Sequence, residues 1–271
     1  RLGTLEDAVT HTTSHGVQIY AADLNAGQGV IESVALTTLE LYDCHIMSHT
    51  TNTQVYAYHS TMTCTIYDTT FVGPQLRVGA NAVLYVDRFT QNSNNPGVGT
   101  GINSILAGTF NDLRIEENEY ALFGVLGTIY NLVARGNTWL LYCWAAGHPD
   151  VFLVNPDVDV WHLRMLVGFT NRVYRQYEVD ATVRDKVTGA LLNGTATLYN
   201  NVGGIVFAVP IVAGVIATQV VSYGYYDTAN GDTMQAYGPF HLVIEVPGYQ
   251  TYHDWNLPVD AKVHLHIGMT R

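Results

Sequence analysis

The sequence predicts an all-β chain in which a right-handed parallel β-helix is followed by a small β-sandwich, and three observations predict this fold class. Apolar residues make up 48% of the 271 residues and charged residues only 13%, against a usual share of about 25%, so the composition favours stacked strands. A short unit recurs along the first part of the chain, and alternating strands occupy the last part. We therefore expect a solenoid over residues 1–172, with a short helical cap at residues 4–15, and a sandwich over residues 173–271.

The recurrent unit ends on a bulky apolar residue. One coil cannot bury its apolar side alone, so successive coils must stack and share a core. A repeat of about 20 residues, with polar turns between short strands, is typical of a β-solenoid. The units match in the order Leu41–Ile46, Ile66–Phe71, Leu84–Phe89, Ile115–Tyr120 and the degraded copy Ala134–Trp139.

The pattern changes near Asn171, where the predicted solenoid ends. Short segments in which apolar and polar residues alternate follow, separated by turn residues, and such a series indicates a sandwich. The segments are Val179–Val183, Ala196–Asn200, Tyr237–Val246 and Lys262–Ile267.

One segment, Val202–Val221, has no charged residue, over a length close to the roughly 20 residues that a membrane-spanning helix needs. It contains Gly203, Gly204, Pro210 and Gly214 and is rich in Val and Ile. These residues favour two buried strands joined by a turn, so we predict no membrane span.

Two short motifs carry a family resemblance in the C-terminal part. Val183–Leu198 has the order strand, Asp, Thr-Gly, small-residue turn and strand, and Tyr237–Ile244 is followed by Gly248 and Tyr249. On these residues the segment 176–270 resembles the carboxypeptidase-regulatory-like, or transthyretin-like, family of Ig-like β-sandwiches. The resemblance implies a spacer, stalk or adhesion accessory without a catalytic site.

The N-terminal part is similar, by its periodicity alone, to the right-handed parallel β-helix superfamily. That superfamily includes pectin-degrading enzymes, phage tailspikes and surface adhesins. This chain lacks the Gly-His-Gly, Asn-Thr-Asp and Asp-Asp motifs of the pectin hydrolases. The resemblance therefore implies the fold and leaves the activity open.

Charge and motif content exclude several functions. Twelve Lys and Arg residues stand against 23 Asp and Glu, which gives a net charge of −11 and no basic surface for nucleic acid. No Walker loop, dinucleotide fingerprint or His-Glu-x-x-His motif is present, so we expect no cofactor. Cys44, Cys64 and Cys143 give no disulfide framework and are expected to be small buried residues, with a Cys44–Cys64 bridge as the alternative.

Carboxylates are the candidate catalytic groups. If the units align as matched, Asp43, Asp68 and Glu117 occupy one position of successive coils, about 4.8 Å apart. Glycosidase carboxyl pairs lie about 5–9.5 Å apart, so this column would suit a polysaccharide hydrolase or lyase. The alternative is that these residues are turn acids that accept hydrogen bonds from backbone amides.

A second acidic group is a candidate Ca²⁺ site. Asp112, Glu116, Glu117 and Glu119 could supply some of the about 6–8 oxygen ligands that Ca²⁺ takes. The alternative is a solvated strand face on which Arg114 forms local ion pairs.

Aromatic residues on the solenoid are candidates for binding sugar rings or a partner surface. The alternative is stacking inside the core. The tyrosines expected to be exposed are Tyr56, Tyr58, Tyr67 and Tyr85, with Trp139, Trp144 and Trp161 as further members.

The sequence thus predicts a non-catalytic structural or adhesive component of an extracellular or virion assembly, such as a filament, a tail or capsid appendage, or a surface layer. Its expected partners are copies of itself, other assembly proteins and glycans. The alternatives are a polysaccharide hydrolase or lyase and a glycan-binding module. The residues expected to mediate self-association are Ile205, Val206, Phe207, Val209, Ile211 and Val212.

Overall fold

The structure, a computed structural model, is built from strands, turns and irregular segments, and none of the residues that it describes is helical. This confirms the all-β class. The chain divides into two compact units, Arg1–Val173 with Tyr226–Thr233, and Tyr174–Tyr225 with Met234–Arg271. The described residues are 12–15, 18–21, 29–33, 38–42, 45–48, 54–57, 63–73, 75–78, 83–92, 100–104, 107–143, 150–166, 171–229 and 233–271.

The first unit is a β-solenoid. Its strands pair in parallel, and successive coils add one or two strands to one sheet and one strand to a second sheet. The strands are β1 (Thr12–His15), β2 (Gln18–Ala21), β3 (Gly29–Ser33), β4 (Thr38–Tyr42), β5 (His45–Ser48), β6 (Gln54–Ala57), β7 (Thr63–Val72), β8 (Gln75–Val78), β9 (Val83–Asn92), β10 (Thr100–Ser104), β11 (Ala107–Glu116), β12 (Tyr120–Phe123), β13 (Leu126–Tyr130), β14 (Val133–Arg135), β15 (Trp139–Cys143), β16 (Val151–Val154), β17 (Asp157–Val158) and β18 (Leu163–Met165).

The two sheets of the solenoid follow the chain order. One runs β1-β4-β7-β9-β11-β13-β16, and the other, with seven strands, runs β3-β6-β8-β10-β12-β15-β18. This order confirms the predicted parallel β-helix, while its right-handed winding stays a prediction.

Two of the sequence matches between coils are confirmed by the strand register. The first and second units pair as matched, and so do the fourth and fifth. The paired positions are Leu41 with Ile66, Ile46 with Phe71, Ile115 with Ala134, and Tyr120 with Trp139.

The other two matches are wrong. Leu84 pairs with Cys64, two residues before the predicted Ile66. Phe71 pairs with Gln91, which pairs with Ile115, so Ile115 is level with the end of the second unit and not with its beginning. The reason is that β7, β9 and β11 each span 10 residues and change direction at a left-handed residue, so similar apolar patterns occur twice within one coil.

Ladders of aligned apolar side chains fill the solenoid. Each member is buried, and full burial of such a side chain contributes about 1.5–3 kcal/mol. One ladder is Ile66, Val86, Phe110, Ile129 and Leu153, and the other is Leu76, Ile102, Leu122, Leu141 and Leu163.

The turn after β11 is held by buried polar residues. Asn137 Oδ1 accepts a hydrogen bond from the Asn118 backbone amide (3.0 Å), and Asn137 Nδ2 donates to the Ile115 carbonyl (2.9 Å). Asn118 Nδ2 donates to Gln91 Oε1 at 2.7 Å. The backbone groups of this turn are buried and do not all pair with other backbone groups. The three side chains supply hydrogen bonds in their place.

The predicted helical cap is wrong where it can be compared. Residues 4–11 lie outside the described residues, but Thr12–His15 forms β1, which pairs in parallel with β4. The backbone of this segment finds its hydrogen-bond partners in β4 of the next coil, so the segment forms a strand and not a helix.

The second unit contains two sheets. One is a four-stranded antiparallel sheet in the order β21-β20-β24-β25, and the other runs β26-β19-β22-β23. Buried residues from both sheets form one hydrophobic cluster that includes Val183, Leu198 and Phe240. The strands are β19 (Val173–Asp185), β20 (Gly194–Tyr199), β21 (Ile205–Ile211), β22 (Val215–Tyr226), β23 (Gln235–Ala236), β24 (Phe240–Glu245), β25 (Tyr252–Leu257) and β26 (Val263–Met269).

The uncharged stretch Val202–Val221 forms two strands joined by a turn, as predicted. Val212 and Val215 exchange backbone hydrogen bonds at that turn, between β21 and β22. The prediction that both strands are buried is wrong, because alternate residues of each are exposed. Among the described residues, no helix is long and apolar enough to cross a membrane.

Candidate functional site

The predicted catalytic column is wrong for the pairing of Asp68 with Glu117, and for Asp43 it stays a prediction. Asp43 lies outside the described residues. Asp68 is level with Arg88, and its carboxylate accepts two hydrogen bonds from that guanidinium, at 2.5 Å from Nε and 2.7 Å from Nη2. Glu117 follows the end of β11 and lies on a different turn of the coil. The error in register explains why the sequence placed Asp68 and Glu117 together.

A different column of polar residues occupies the corner at Asp68. Its members share a left-handed backbone, with φ between 48° and 54°. Asn131 Nδ2 donates to Asp112 Oδ1 at 2.7 Å, which continues the polar contacts along the coils. The members are Asp68, Arg88, Asp112, Asn131 and Asn155. These contacts indicate a structural corner, since the carboxylates are already held by a guanidinium and an amide.

Asp87, which lies beside this corner, has a raised pKa. Partial burial raises the pKa of Asp87, and the nearby negative charges of Asp112 and Asp68 add to the rise. Arg88 lies 3.5 Å from its carboxylate. Asp87 could not be selected from the sequence, because only the strand register brings Asp68 and Asp112 close to it.

The candidate Ca²⁺ ligands are not brought into one group. Asp112 lies at the corner, whereas Glu116 forms an ion pair with Arg114 at 2.6 Å. Four residues of extended strand separate Asp112 from Glu116, a distance of about 13 Å. Glu117 and Glu119 lie in the turn between β11 and β12. Within the described ranges, no group of three or more His, Cys, Asp or Glu residues could hold a metal ion.

The predicted tyrosines lie at separate places. Tyr67 is covered by the Arg88 guanidinium, 3.9 Å from its ring centroid. Tyr85 is 49% exposed and pairs with Thr65 rather than with Tyr67. Tyr58 lies outside the described residues, and Tyr56 belongs to β6, where its side chain is not described.

An aromatic surface of which the sequence predicted only Trp139 lies on β12, β15 and β18. Phe123 and Tyr142 are paired on adjacent coils, with ring centroids 4.6 Å apart. Trp139 stacks on Tyr120 at 6.5 Å, and Arg164 Nη1 donates to the Tyr120 hydroxyl at 2.6 Å. We call these five residues the solenoid aromatic surface. The Tyr120 ring is buried at 7% exposure, whereas the rings of Phe123, Trp139 and Tyr142 are partly exposed. Partly exposed rings beside a guanidinium can bind sugar rings or a protein partner.

Of the other predicted members of an aromatic strip, only Trp139 belongs to this surface. Trp144 lies outside the described residues, and Trp161 stacks on Tyr226 with ring centroids 5.8 Å apart. The sequence contains one indication of this surface. Tyr120 and Trp139 each close a matched unit, and these two positions pair in the structure.

The residues predicted to self-associate are divided by the alternation of β21 and by a register irregularity, which skips Val206 between the pairs Leu198–Phe207 and Tyr199–Ile205. Ile205 is 65% exposed and Val206 and Val212 are also exposed, whereas Phe207 and Val209 are partly buried against the core of the second unit. The prediction is wrong for Ile211, which is only 2% exposed, because it points inward opposite Gly194.

β21 is an edge strand. Among the described residues it pairs only with β20, and the other side of its backbone has no strand beside it. It contains no charged residue, and Pro210 is the single residue without an N–H group. Unprotected edges of this kind accept a further strand.

The two motifs behind the family resemblance meet in the structure. Asp185 accepts hydrogen bonds from the amides of Val187 and Thr188, both at 2.8 Å, and from the Tyr249 hydroxyl at 2.6 Å. These bonds, that of Tyr249 above all, hold the pKa of Asp185 well below its usual range. The arrangement ties a turn to a distant loop and indicates a structural role.

The cysteines are buried thiols where they are described. Cys64 and Cys143 are free, and burial raises the pKa of each to about 12. The bridge between Cys44 and Cys64 is therefore wrong for Cys64, and Cys44 lies outside the described residues.

No protein-family model, curated protein or solved structure matches this chain. The resemblance of residues 176–270 to the transthyretin-like family therefore stays a prediction.

Proposed function

We propose that this chain is a non-catalytic structural component of an extracellular or virion assembly, and that it self-associates through β21. The observation that carries the proposal is an uncharged edge strand whose exposed face carries Ile205 and Val206. The solenoid supplies a rigid body, since each coil is fixed by ladders of buried side chains.

Pairing of β21 with β21 of a second copy would supply the affinity of the contact and would fix the orientation of the two copies. An edge strand offers unpaired amide and carbonyl groups, and a second β21 offers the complementary groups. Pro210 has no N–H group, so it limits the paired segment to the residues before it. Two copies paired antiparallel about a twofold axis would bury Ile205 and Val206 of both chains.

The proposal includes a β-sandwich for the second unit. Its two sheets contribute to one hydrophobic cluster, and strands β20, β21, β24 and β25 alternate between buried and exposed residues. A sandwich of this size is suited to joining copies or anchoring the solenoid, as the resemblance also implies.

The carboxylate contacts favour a non-catalytic role over a hydrolase or lyase. A glycosidase needs two carboxyl groups that face one bond of the substrate. Asp68 is engaged by Arg88, and Glu117 lies on another turn.

Glycan binding is a second candidate function, favoured by the solenoid aromatic surface. Tyr142 and Phe123 stack on adjacent coils, and Arg164 lies 5.3 Å from the Tyr142 ring. The rings and the guanidinium would contact a sugar chain without a carboxyl pair.

The test of self-association is the mass in solution, measured by light scattering across concentration and salt. We expect wild-type oligomers that persist at high salt, since the contact contains no charge to screen. Ile205→Lys and Val206→Lys should give monomers. Val187→Lys is the matched control, because Val187 is 92% exposed and lies outside β21. A monomeric wild type at every concentration would contradict the proposal.

The test of glycan binding is affinity electrophoresis in gels that contain acidic or neutral polysaccharides. Tyr142→Ala should abolish any retardation, and Tyr85→Ala should not. The reverse pattern would favour the tyrosines predicted from the sequence. Release of new reducing ends from a polysaccharide would contradict the non-catalytic role.

A further inference from the structure

The outer face of the β21-β20-β24-β25 sheet carries a group of imidazole and aromatic rings. Leu198, Phe240 and Leu242 are buried in the core, so the alternate positions of these strands point away from it. The rings that lie together are those of Tyr199 on β20, His241 on β24, and His253 and Trp255 on β25.

The two imidazoles face each other through ring nitrogens. His241 Nε2 lies 3.1 Å from His253 Nδ1, with 21° between the ring planes. Trp255 stacks on His241 at a centroid distance of 3.6 Å, and Tyr199 stacks on it at 5.7 Å. These stacked rings restrict the rotation of His241 and hold its Nε2 toward the partner nitrogen.

We propose that His241 and His253 bind one divalent transition-metal ion between Nε2 and Nδ1. Two nitrogens bonded to one ion at about 2.0–2.1 Å, with an angle between square and tetrahedral, lie about 2.8–3.4 Å apart. The observed 3.1 Å falls within this span. The ion replaces the proton that the two nitrogens share in the hydrogen bond.

The protons balance without any other reactant. The ring that donates in the hydrogen bond shifts its proton to its remote nitrogen, so that both facing nitrogens present a lone pair. Each imidazole stays neutral and keeps one N–H, which is the form that binds metals. Water fills the remaining coordination positions, since the protein supplies two ligands.

The ligand type selects the metal. Imidazole suits Cu²⁺, Zn²⁺ and Ni²⁺, whereas Ca²⁺ and Mg²⁺ require oxygen ligands. Among the divalent ions of the first transition row, Cu²⁺ binds a given nitrogen site most tightly. The net charge of −11 further raises the local concentration of cations. The site does not depend on the self-association proposed for β21.

The experiment is a titration of the full chain with Cu²⁺ at pH 7.5 in a buffer that does not bind copper, so that every nitrogen ligand in the spectrum comes from the protein. Tryptophan fluorescence and electron paramagnetic resonance are recorded together. We expect one Cu²⁺ per chain, quenching of Trp255 because it stacks on His241, and a spectrum that shows two nitrogen ligands. Trp255→Phe should remove the quenching and keep the two-nitrogen spectrum.

The variants His241→Ala and His253→Gln should each weaken binding by about 10- to 100-fold, at least as much as the loss of a second-shell partner. His264→Ala is the matched control, because His264 and His266 form another histidine pair, with centroids 4.6 Å apart on β26. Circular dichroism checks that each variant is folded. Unchanged Cu²⁺ affinity in folded His241→Ala and His253→Gln, or loss of binding in His264→Ala alone, would overturn the proposal.

Discussion

Replacing the side chain of Asn137 should destabilise the solenoid strongly, because several buried hydrogen bonds depend on it. It is only 5% exposed, and its side chain makes hydrogen bonds to the preceding coil and within its own coil. Its Oδ1 accepts from the Asn118 amide at 3.0 Å, and its Nδ2 donates to the carbonyls of Ile115 at 2.9 Å and Arg135 at 3.1 Å. Asn137→Ala removes these contacts and leaves every neighbouring apolar side chain in place.

The expected cost follows from the groups left behind. The Asn118 amide is buried and loses its acceptor, which costs about 1–3 kcal/mol. The carbonyls of Ile115 and Arg135 each lose a donor, at about 0.5–1.5 kcal/mol apiece. We therefore expect Asn137→Ala to lower the free energy of unfolding of the first unit by about 2–6 kcal/mol, well above the effect of an ordinary surface substitution.

The assay is urea unfolding followed by tryptophan fluorescence in a Trp255→Phe background. The remaining indoles, Trp139, Trp144 and Trp161, all belong to the first unit, so the signal reports the solenoid alone. With a slope of about 1–3 kcal/mol per molar urea, the midpoint should fall by about 1 M or more.

The matched control is Thr138→Ala, since Thr138 is the exposed neighbour of Asn137 and should change stability by less than about 0.5 kcal/mol. Equal midpoints for Asn137→Ala and Thr138→Ala would contradict this expectation and show that water replaces the lost hydrogen bonds.

Two further predictions concern titrating groups. The pKa of Asp185 is lowered mainly by the Tyr249 hydroxyl, so its contribution to stability is present above the unfolded pKa of about 3.9 and is lost as the pH falls through the lower folded pKa. Tyr249→Phe should therefore flatten the fall in melting temperature between about pH 4 and pH 2, and an unchanged slope would contradict this. Because burial raises the pKa of Cys64 and Cys143 to about 12, neither thiol should react with iodoacetamide at pH 8 until urea is added. Peptide mass spectrometry checks this, and alkylation of either thiol in the native protein would contradict it.

The fold class could be predicted from the sequence because it depends on composition and periodicity, which tolerate errors in register. The exact alignment of coils could not. Asp68, Arg88 and Asp112 adopt a left-handed backbone that turns the strand within one coil. Asp is enriched in this conformation but Arg is not, and most Asp residues are not left-handed, so the residue types alone do not locate the turn. A window of six residues then fits two places, and the predicted catalytic column was built on the wrong one.

The candidate sites differ in how far the sequence reveals them. The uncharged stretch that contains β21 is visible directly in the sequence. Its exposed members Ile205 and Val206 follow only from the irregular register of β21 against β20. The histidine pair is hidden, because His241 and His253 are diagonal neighbours on β24 and β25, where an irregular register separates Phe240 from Leu242. Only His253 and Trp255, two residues apart on one strand, share a face that the sequence could indicate.

The two edges of the β21-β20-β24-β25 sheet are unequal, and the difference determines which assembly β21 can form. β25 carries His253, Asp254 and the exposed Trp255, and a charged residue on an edge opposes the addition of another strand. β21 has no such residue. Pairing of β21 with a second β21 is therefore favoured over pairing of β21 with β25.

When β21 pairs with β21 of a second copy, both contact edges are used and assembly stops at a dimer. Pairing of two different edges would leave one edge free on each end and would continue into a filament. If β21 is the whole of the contact, light scattering should reach a plateau at the mass of a dimer, and Ile205→Lys should abolish it. Mass that continues to grow with concentration would require a second contact on the chain. A filament that survives Ile205→Lys would place that contact outside β21.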